Sequence, residues 1–189
     1  MALDYAILLI NGPAGVQSHT FTLFRLLESY NIPFFIFINK TDMEGFNADK
    51  VIKDIRLKLT KNIAVIDNIE DSGEIAAEND EDFLEKYIDG KYSNEDIEKS
   101  LSLTIKERKI YPVCMGTALS SESIKKFFDI FERLTYTDYN ENEDFEGIVY
   151  KIRNTDTRLT FIKCLKGKIN VKDGLVFGES EKITELRFY

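Results

Sequence analysis

Phe34-Phe35-Ile36-Phe37-Ile38-Asn39-Lys40-Thr41-Asp42 (FFIFINKTD) decides how this chain is read. Five large apolar residues in a row show no alternation, which suits a strand covered on both faces of a parallel sheet. Four polar residues then end it abruptly. Upstream, Tyr5 to Ile10 (YAILLI) is a second continuous apolar run of the same kind, broken by Asn11-Gly12-Pro13-Ala14-Gly15. Between the two runs, Phe24, Leu27, Leu23 and Tyr30 recur at three- and four-residue spacing, which predicts an amphipathic helix over Gln17 to Tyr30.

Downstream, the same alternation continues. Ala48 to Leu59 reads as a helix with Val51, Ile52, Ile55 and Leu59 on one side, and Ile63 to Ile66 as a short strand. Asp67 to Asn79 is polar and acidic and reads as irregular. Helices are predicted near Glu81 to Ile88 and Asn94 to Glu107, the second opened by Ser93 and Asp96 at capping-box spacing. A third buried strand follows at Ile110 to Met115 (IYPVCM), then a last amphipathic helix over Ser121 to Leu134. Alternating strands and helices predict an α/β domain over 1–134, with a parallel sheet and helices on both faces. The acidic stretch 135–145 (TYTDYNENEDF) reads as a linker, and 146–189 as the start of an all-β barrel module. Its expected strands are Gly147 to Arg153, Arg158 to Leu165, Ile169 to Val171, Leu175 to Phe177 and Ile183 to Phe188, with turns at Asn154-Thr155-Asp156 and Asp173-Gly174.

The chemistry concentrates where the second strand ends. Ligands of open α/β sheets bind at the carboxyl ends of the strands. A carboxylate placed there, Asp42, can accept hydrogen bonds from the N1–H and exocyclic amino group of guanine, donors that adenine does not present in that place. A site that leaves such a carboxylate unpaired rejects the wrong base. Lys40 can lay its alkyl stem over the base, and Asn39 can tie the loop to its neighbours and reach the base edge. Gly116-Thr117-Ala118-Leu119 follows the third buried strand and supplies a second loop, whose backbone N–H would meet the guanine O6. Asn39, Lys40, Asp42, Thr117, Ala118 and Leu119 are therefore the candidate guanine-binding residues. A chance NKxD on an unrelated α/β protein is the competing reading.

Composition narrows the rest. The 189 residues are 43% hydrophobic, enough for a packed core, and the net charge of −8 argues against the chain gripping a nucleic-acid backbone by itself. Cys114 and Cys164 lie in apolar runs and read as two buried free thiols, and the single histidine, His19, as a surface side chain. The acidic residues Glu141, Glu143 and Asp144 read as a solvated stretch, not as catalytic carboxylates. No run reaches the roughly 18 apolar residues of a membrane span, and no cationic region precedes the first apolar run. The expectation is a cytoplasmic protein without a membrane partner.

NKxD after a buried strand, together with a second loop resembling the SA(K/L) segment of GTPases, marks the family. Asp4 to Thr20 (DYAILLINGPAGVQSHT) is similar to the segment that follows DxxG in elongation factor G and its relatives. Ala14 to Gln17 (AGVQ) is its most specific piece. Phe83 to Gly90 (FLEKYIDG) resembles that family's LLEKY segment, and Glu146 to Ile152 (EGIVYKI) the opening strand of its second domain. The short stretch between Asp67 and Glu81 leaves no room for the inserted subdomain of elongation factor G, and the run from Asn79 to Ser100 is most similar to the tetracycline-resistance ribosomal protection proteins. The alternatives are elongation factor G itself, another translation-factor GTPase such as a release-factor GTPase, or, in a different class, a non-catalytic partner-binding module.

The resemblance implies a ribosome-associated GTPase that binds GTP and GDP with Mg2+. It also implies that this stretch does not hydrolyse GTP. The sequence has no GxxxxGK[ST] loop to cradle phosphates and hold magnesium, and the switch threonine and the DxxG segment that the resemblance places ahead of Tyr5 are not within it. The stretch is expected to be internal to a longer protein, inactive by itself, with no catalytic or metal-ligating residue assigned. A strand that the family places beside Tyr5 to Ile10 is missing, so that edge is expected to be covered by self-association, a rearranged segment or the β module.

Overall fold

A computed structural model describes residues 2–154, 158–177 and 179–187. Its contacts separate Leu3–Tyr136 from a second unit made of 1–2 and Thr137–Tyr189. In the first unit the elements run β1 (Ala6–Asn11), α1 (Ser18–Ser29), β2 (Phe34–Asn39), α2 (Ala48–Lys58), β3 (Ile63–Val65), α3 (Gly73–Asn79), α4 (Glu81–Ile88), α5 (Asn94–Lys106), β4 (Tyr111–Met115) and α6 (Ser121–Arg133). The four strands form one parallel sheet in the order β1-β2-β4-β3. The expected α/β layering is present.

The pleat sorts the core into two clusters. Phe34, Ile36 and Ile38 of β2 join Leu8, Ile10 and Val113 on one face, packed by Phe24 of α1 and Val51 and Ile55 of α2. Phe35 and Phe37 point the other way, against Phe127 and Ile130 of α6 and the buried side chains of α3, α4 and α5. All five large residues of β2 are essentially without solvent contact. Each contributes about 1.5–3 kcal/mol of burial, which makes β2 the anchor of both faces. Pro112 is tolerated inside the sheet because the bonds to the β3 side run through the Tyr111 N–H and the Val113 carbonyl, while the β2–β4 ladder begins only at Val113.

Helix ends follow local chemistry. Asn47 caps α2 by accepting from the Lys50 N–H, and Ser93 and Asp96 form the expected capping box of α5. Asp80 caps α4 through the Asp82 and Phe83 N–H groups. Arg133 at the end of α6 is held by Glu98 of α5 and Glu70.

Several expectations need correction, three of them on an unforeseen helix, on strand burial and on the thiols. The stretch Asp67 to Asn79 is not wholly irregular: Gly73–Asn79 is the helix α3, with Ala76 and Ala77 buried. Small residues carry its packing face, so no large-apolar period announces it. Tyr5 to Ile10 is not covered on both faces: β1 is an edge strand, and Leu8 and Ile10 are buried while Ile7 and Leu9 are exposed. The third correction concerns the thiols. Cys114 is buried, but Cys164 on the second unit is only half-buried.

The second unit has two antiparallel ladders, β5 (Glu146–Asn154) with β6 (Arg158–Lys166), and β7 (Gly174–Phe177) with β8 (Glu179–Lys182). The expected strand at Ile169 to Val171 is absent, because Asn170 and Asp173 close a turn there with Lys172 in the left-handed region. Ile183–Arg187 is likewise not a strand, the pairing having moved to Glu179–Lys182, and Phe188 lies outside the described residues. The turn expected at Asn154-Thr155-Asp156 extends beyond the described residues, and Gly174 opens β7 instead of lying in a turn. The acidic stretch expected as a linker is tied down locally: Lys166 pairs with Glu143, Lys168 with Glu141, and Tyr139 donates to the Gly167 carbonyl.

Burial, reinforced by the charge of Asp67 and opposed by Lys126, pushes the Cys114 thiol up to about 12. At mildly alkaline pH a thiol reagent should therefore modify Cys164 quickly and Cys114 only on unfolding. Counting one fast thiol per chain in native protein and two in denaturant checks this packing.

Candidate functional site

The sheet order sets the site. Parallel strands β1, β2 and β4 are neighbours, so their carboxyl-end loops, 11–17, 39–47 and 116–120, emerge side by side. All six candidate residues lie on the second and third of these loops, and hydrogen bonds join Asn39 to Ala118 and Thr117 to Asp42.

Asn39 ends β2 and is the tie between them. Its side-chain carbonyl accepts the Ala118 N–H at 2.8 Å and the Lys40 N–H at 2.7 Å. Lys40 then takes a left-handed backbone conformation (φ 65°), which turns the chain sharply away from the strand. For a residue with a Cβ this costs about 1–2 kcal/mol, offset here by the hydrogen bonds on either side. The Gly116 N–H donates to the Ile38 carbonyl at 3.0 Å, and the Thr41 N–H to the Gly116 carbonyl at 3.4 Å. Asp42 receives a hydrogen bond from the Thr117 hydroxyl at 2.7 Å. One carboxylate oxygen is thereby fixed, and the other remains available to accept. Asp42, Ala118 and Leu119 are exposed, with Leu119 almost fully open to solvent. Ser120 begins α6 by capping the Ser123 N–H at 3.4 Å.

The loop after β1, which the sequence shows only as a strand break, supports this arrangement. Its Gly12 N–H donates to the Asn39 carbonyl at 2.8 Å. A Cβ on Gly12 would sit 2.7 Å from the Phe46 ring and 2.9 Å from that same carbonyl oxygen, so only glycine lets the two loops touch. Further along, Asp54 of α2 accepts the Val16 N–H at 2.8 Å and pairs with Lys58 at 2.7 Å, and Lys58 reaches back to the Val16 carbonyl at 3.4 Å. The Asn-Gly-Pro-Ala-Gly composition is the visible signal for a tight loop. Phe46, Asp54 and Lys58 carry no such signal, because only folding brings α2 beside it.

The site thus lies at the carboxyl edge of an open parallel sheet, on two loops tied together by hydrogen bonds. The chain belongs to the family described as the elongation factor Tu GTP-binding domain, whose model matches residues 1–160. Similar proteins include the tetracycline resistance protein TetS of Listeria monocytogenes, 33% identical across 99% of this chain and 32% of that protein. The tetracycline resistance protein TetP of Clostridium perfringens is 32% identical across 91% of this chain and 30% of that one. Among solved structures, the crystal structure of ttk003000868 from Thermus thermophilus superposes with a TM-score of 0.76 at 18% identity. The match covers 96% of this chain and 35% of that one, and shows the shared fold. The chain thus spans about a third of the length of the relatives it matches.

Burial raises the Asp54 carboxyl, but the Lys58 hydrogen bond and charge and the Val16 N–H outweigh it, leaving its pKa below the ordinary 3.8. A depressed folded-state pKa means that the clamp's stabilisation is fully present above the unfolded value and lost as pH falls through the folded one. The Val16 amide resonance should therefore titrate with a midpoint below 3.8. The transition should vanish in Asp54→Asn, as followed by proton–nitrogen NMR.

Proposed function

We propose that this chain provides guanine recognition to a ribosome-acting GTPase of the tetracycline-resistance protection type. The observation that carries the reading is the convergence of Asn39, Lys40 and Asp42 with Thr117, Ala118 and Leu119 through the Asn39–Ala118 and Thr117–Asp42 hydrogen bonds. In this reading Asp42 accepts from the guanine N1–H and exocyclic amine. Thr117 holds that carboxylate in place, so its hydroxyl orients without touching the base. Lys40 and Leu119 flank the two faces of the ring, which the exposure of Leu119 leaves room to do. The Ala118 N–H is engaged by Asn39, so a base O6 arriving at this loop shares that donor.

The phosphates and magnesium are a different matter. Neither the phosphate-cradling motif nor a cluster of three metal-ligating side chains occurs among the described residues. In this reading GTP and Mg2+ are ascribed to the longer protein, together with the ribosome as partner and a cytoplasmic setting. Both similar proteins carry tetracycline-resistance names, which supports that branch over elongation factor G. None of the described helices is long and apolar enough to cross a membrane.

Base contacts alone give an affinity on the order of millimolar, about 4 kcal/mol. Titration by protein-observed NMR should show GDP, and not ADP, shifting the resonances of 39–42 and 117–119. Asp42→Asn should move the preference to xanthine nucleotide. Thr117→Val, which keeps the shape but frees the carboxylate, should weaken GDP binding about tenfold. Equal responses to GDP and ADP would overturn the reading.

A further inference from the structure

Two hydroxyls, those of Thr41 and Thr117, meet where the second and third loops touch, their oxygens 3.4 Å apart. Thr41 is the one residue of Asn39-Lys40-Thr41-Asp42 to which base reading assigns no part. Both threonines are half-buried, whereas Asp42 beside them is exposed. Backbone bonds hold both segments in place. The Thr41 N–H donates to the Gly116 carbonyl at 3.4 Å, and the Ser120 N–H to the Thr117 carbonyl at 2.9 Å. Both side chains branch at Cβ, so χ1 is stiff and the two oxygens stay near one another.

Proton accounting gives the pair a direction. A hydroxyl has one proton to donate and two lone pairs with which to accept, and an ionised carboxylate accepts only. Thr117 donates its proton to Asp42 at 2.7 Å. With that proton spent, Thr117 can only accept from Thr41, so the chain of bonds runs from Thr41 through Thr117 to Asp42. The Thr41 hydroxyl has no other partner among the described residues. A hydroxyl that accepts one bond is polarised and donates the next more strongly.

We propose that Thr41 is a positioning residue for base selection: by filling a Thr117 lone pair, it commits the Thr117 proton to Asp42 and so aims the free carboxylate oxygen at the exocyclic amine of guanine. The inference rests on the guanine reading above. The terminal torsion of an aspartate is broad, so packing or hydrogen bonds must set its direction. Asp42 is exposed, which leaves the hydrogen bond to one oxygen to decide where the other points. Thr41 acts through Thr117 and makes no contact of its own with the base.

Protein-observed NMR titrations of the full chain with GDP and with inosine diphosphate test this. Inosine lacks only the exocyclic amine, and the sugar, the phosphates and the rest of the ring are common to both ligands. The ratio of the two dissociation constants therefore isolates the amine contact. The unmodified chain should prefer GDP about tenfold, as for one hydrogen bond to a charged acceptor. Thr41→Val keeps the branched shape, removes the hydroxyl and should narrow the preference to about threefold. Thr41→Ser keeps the hydroxyl and should retain the preference of the unmodified chain. A loop that is merely loosened weakens both ligands alike, so an unchanged ratio in Thr41→Val would overturn the proposal even if both affinities fell. A serine variant that behaves like the valine variant would also overturn it. Equal responses to GDP and ADP in the unmodified chain would overturn the guanine reading and this inference together. GDP-selective shifts with a ratio indifferent to Thr41→Val would overturn this inference alone.

Discussion

The burial of β2 on both faces is the constraint from which the first unit is built. Phe34, Ile36 and Ile38 can leave water only if α1 and α2 cover one side, and Phe35 and Phe37 only if α6 and the α3–α5 group cover the other. A strand so enclosed has to receive neighbours on both edges, and β1 and β4 supply them in parallel. Parallel pairing in turn puts three loops at one end. The candidate site is thus a by-product of the way one apolar strand is sheltered.

At that end, polar groups take over from packing. Asn39 is the first residue of β2 to escape full burial, and its side chain holds two loops together instead of facing solvent alone. The Thr117–Asp42 bond aims a carboxylate in the same way. A rigid shell of backbone hydrogen bonds, from Gly116 to Ile38 and from Gly12 to Asn39, carries the precision of the core out to exposed side chains. The Asp54–Val16–Lys58 clamp extends that shell to α2. This is why an exposed site can have defined geometry.

Burial and exposure divide β1 in a way that its sequence conceals. Ala6–Asn11 and Phe34–Asn39 look alike on paper, and both read as enclosed strands. One is central and the other is an edge, and only sheet order distinguishes them. Ile7 and Leu9 accordingly stay exposed while Leu8 and Ile10 are buried.

Local patterns determined much about this protein: the alternation of strands with amphipathic helices, the capping box at Ser93, and the placement of Asn39-Lys40-Thr41-Asp42 at a strand end. Each of these depends on residues near one another in the chain, so the sequence displays them directly. The helix α3 is hidden because Ala76 and Ala77 pack without a large-apolar period, and the β7–β8 pairing because Asn170 and Asp173 close a turn where the apolar pattern predicts a strand. Tertiary structure alone decided that Asn39 reaches Ala118, that Thr117 orients Asp42, that Asp54 holds Val16, and that β1 is an edge. Those contacts join positions 38 to 79 residues apart, or turn on which strand lies outermost, and only the packing of both faces of the sheet settles such distances.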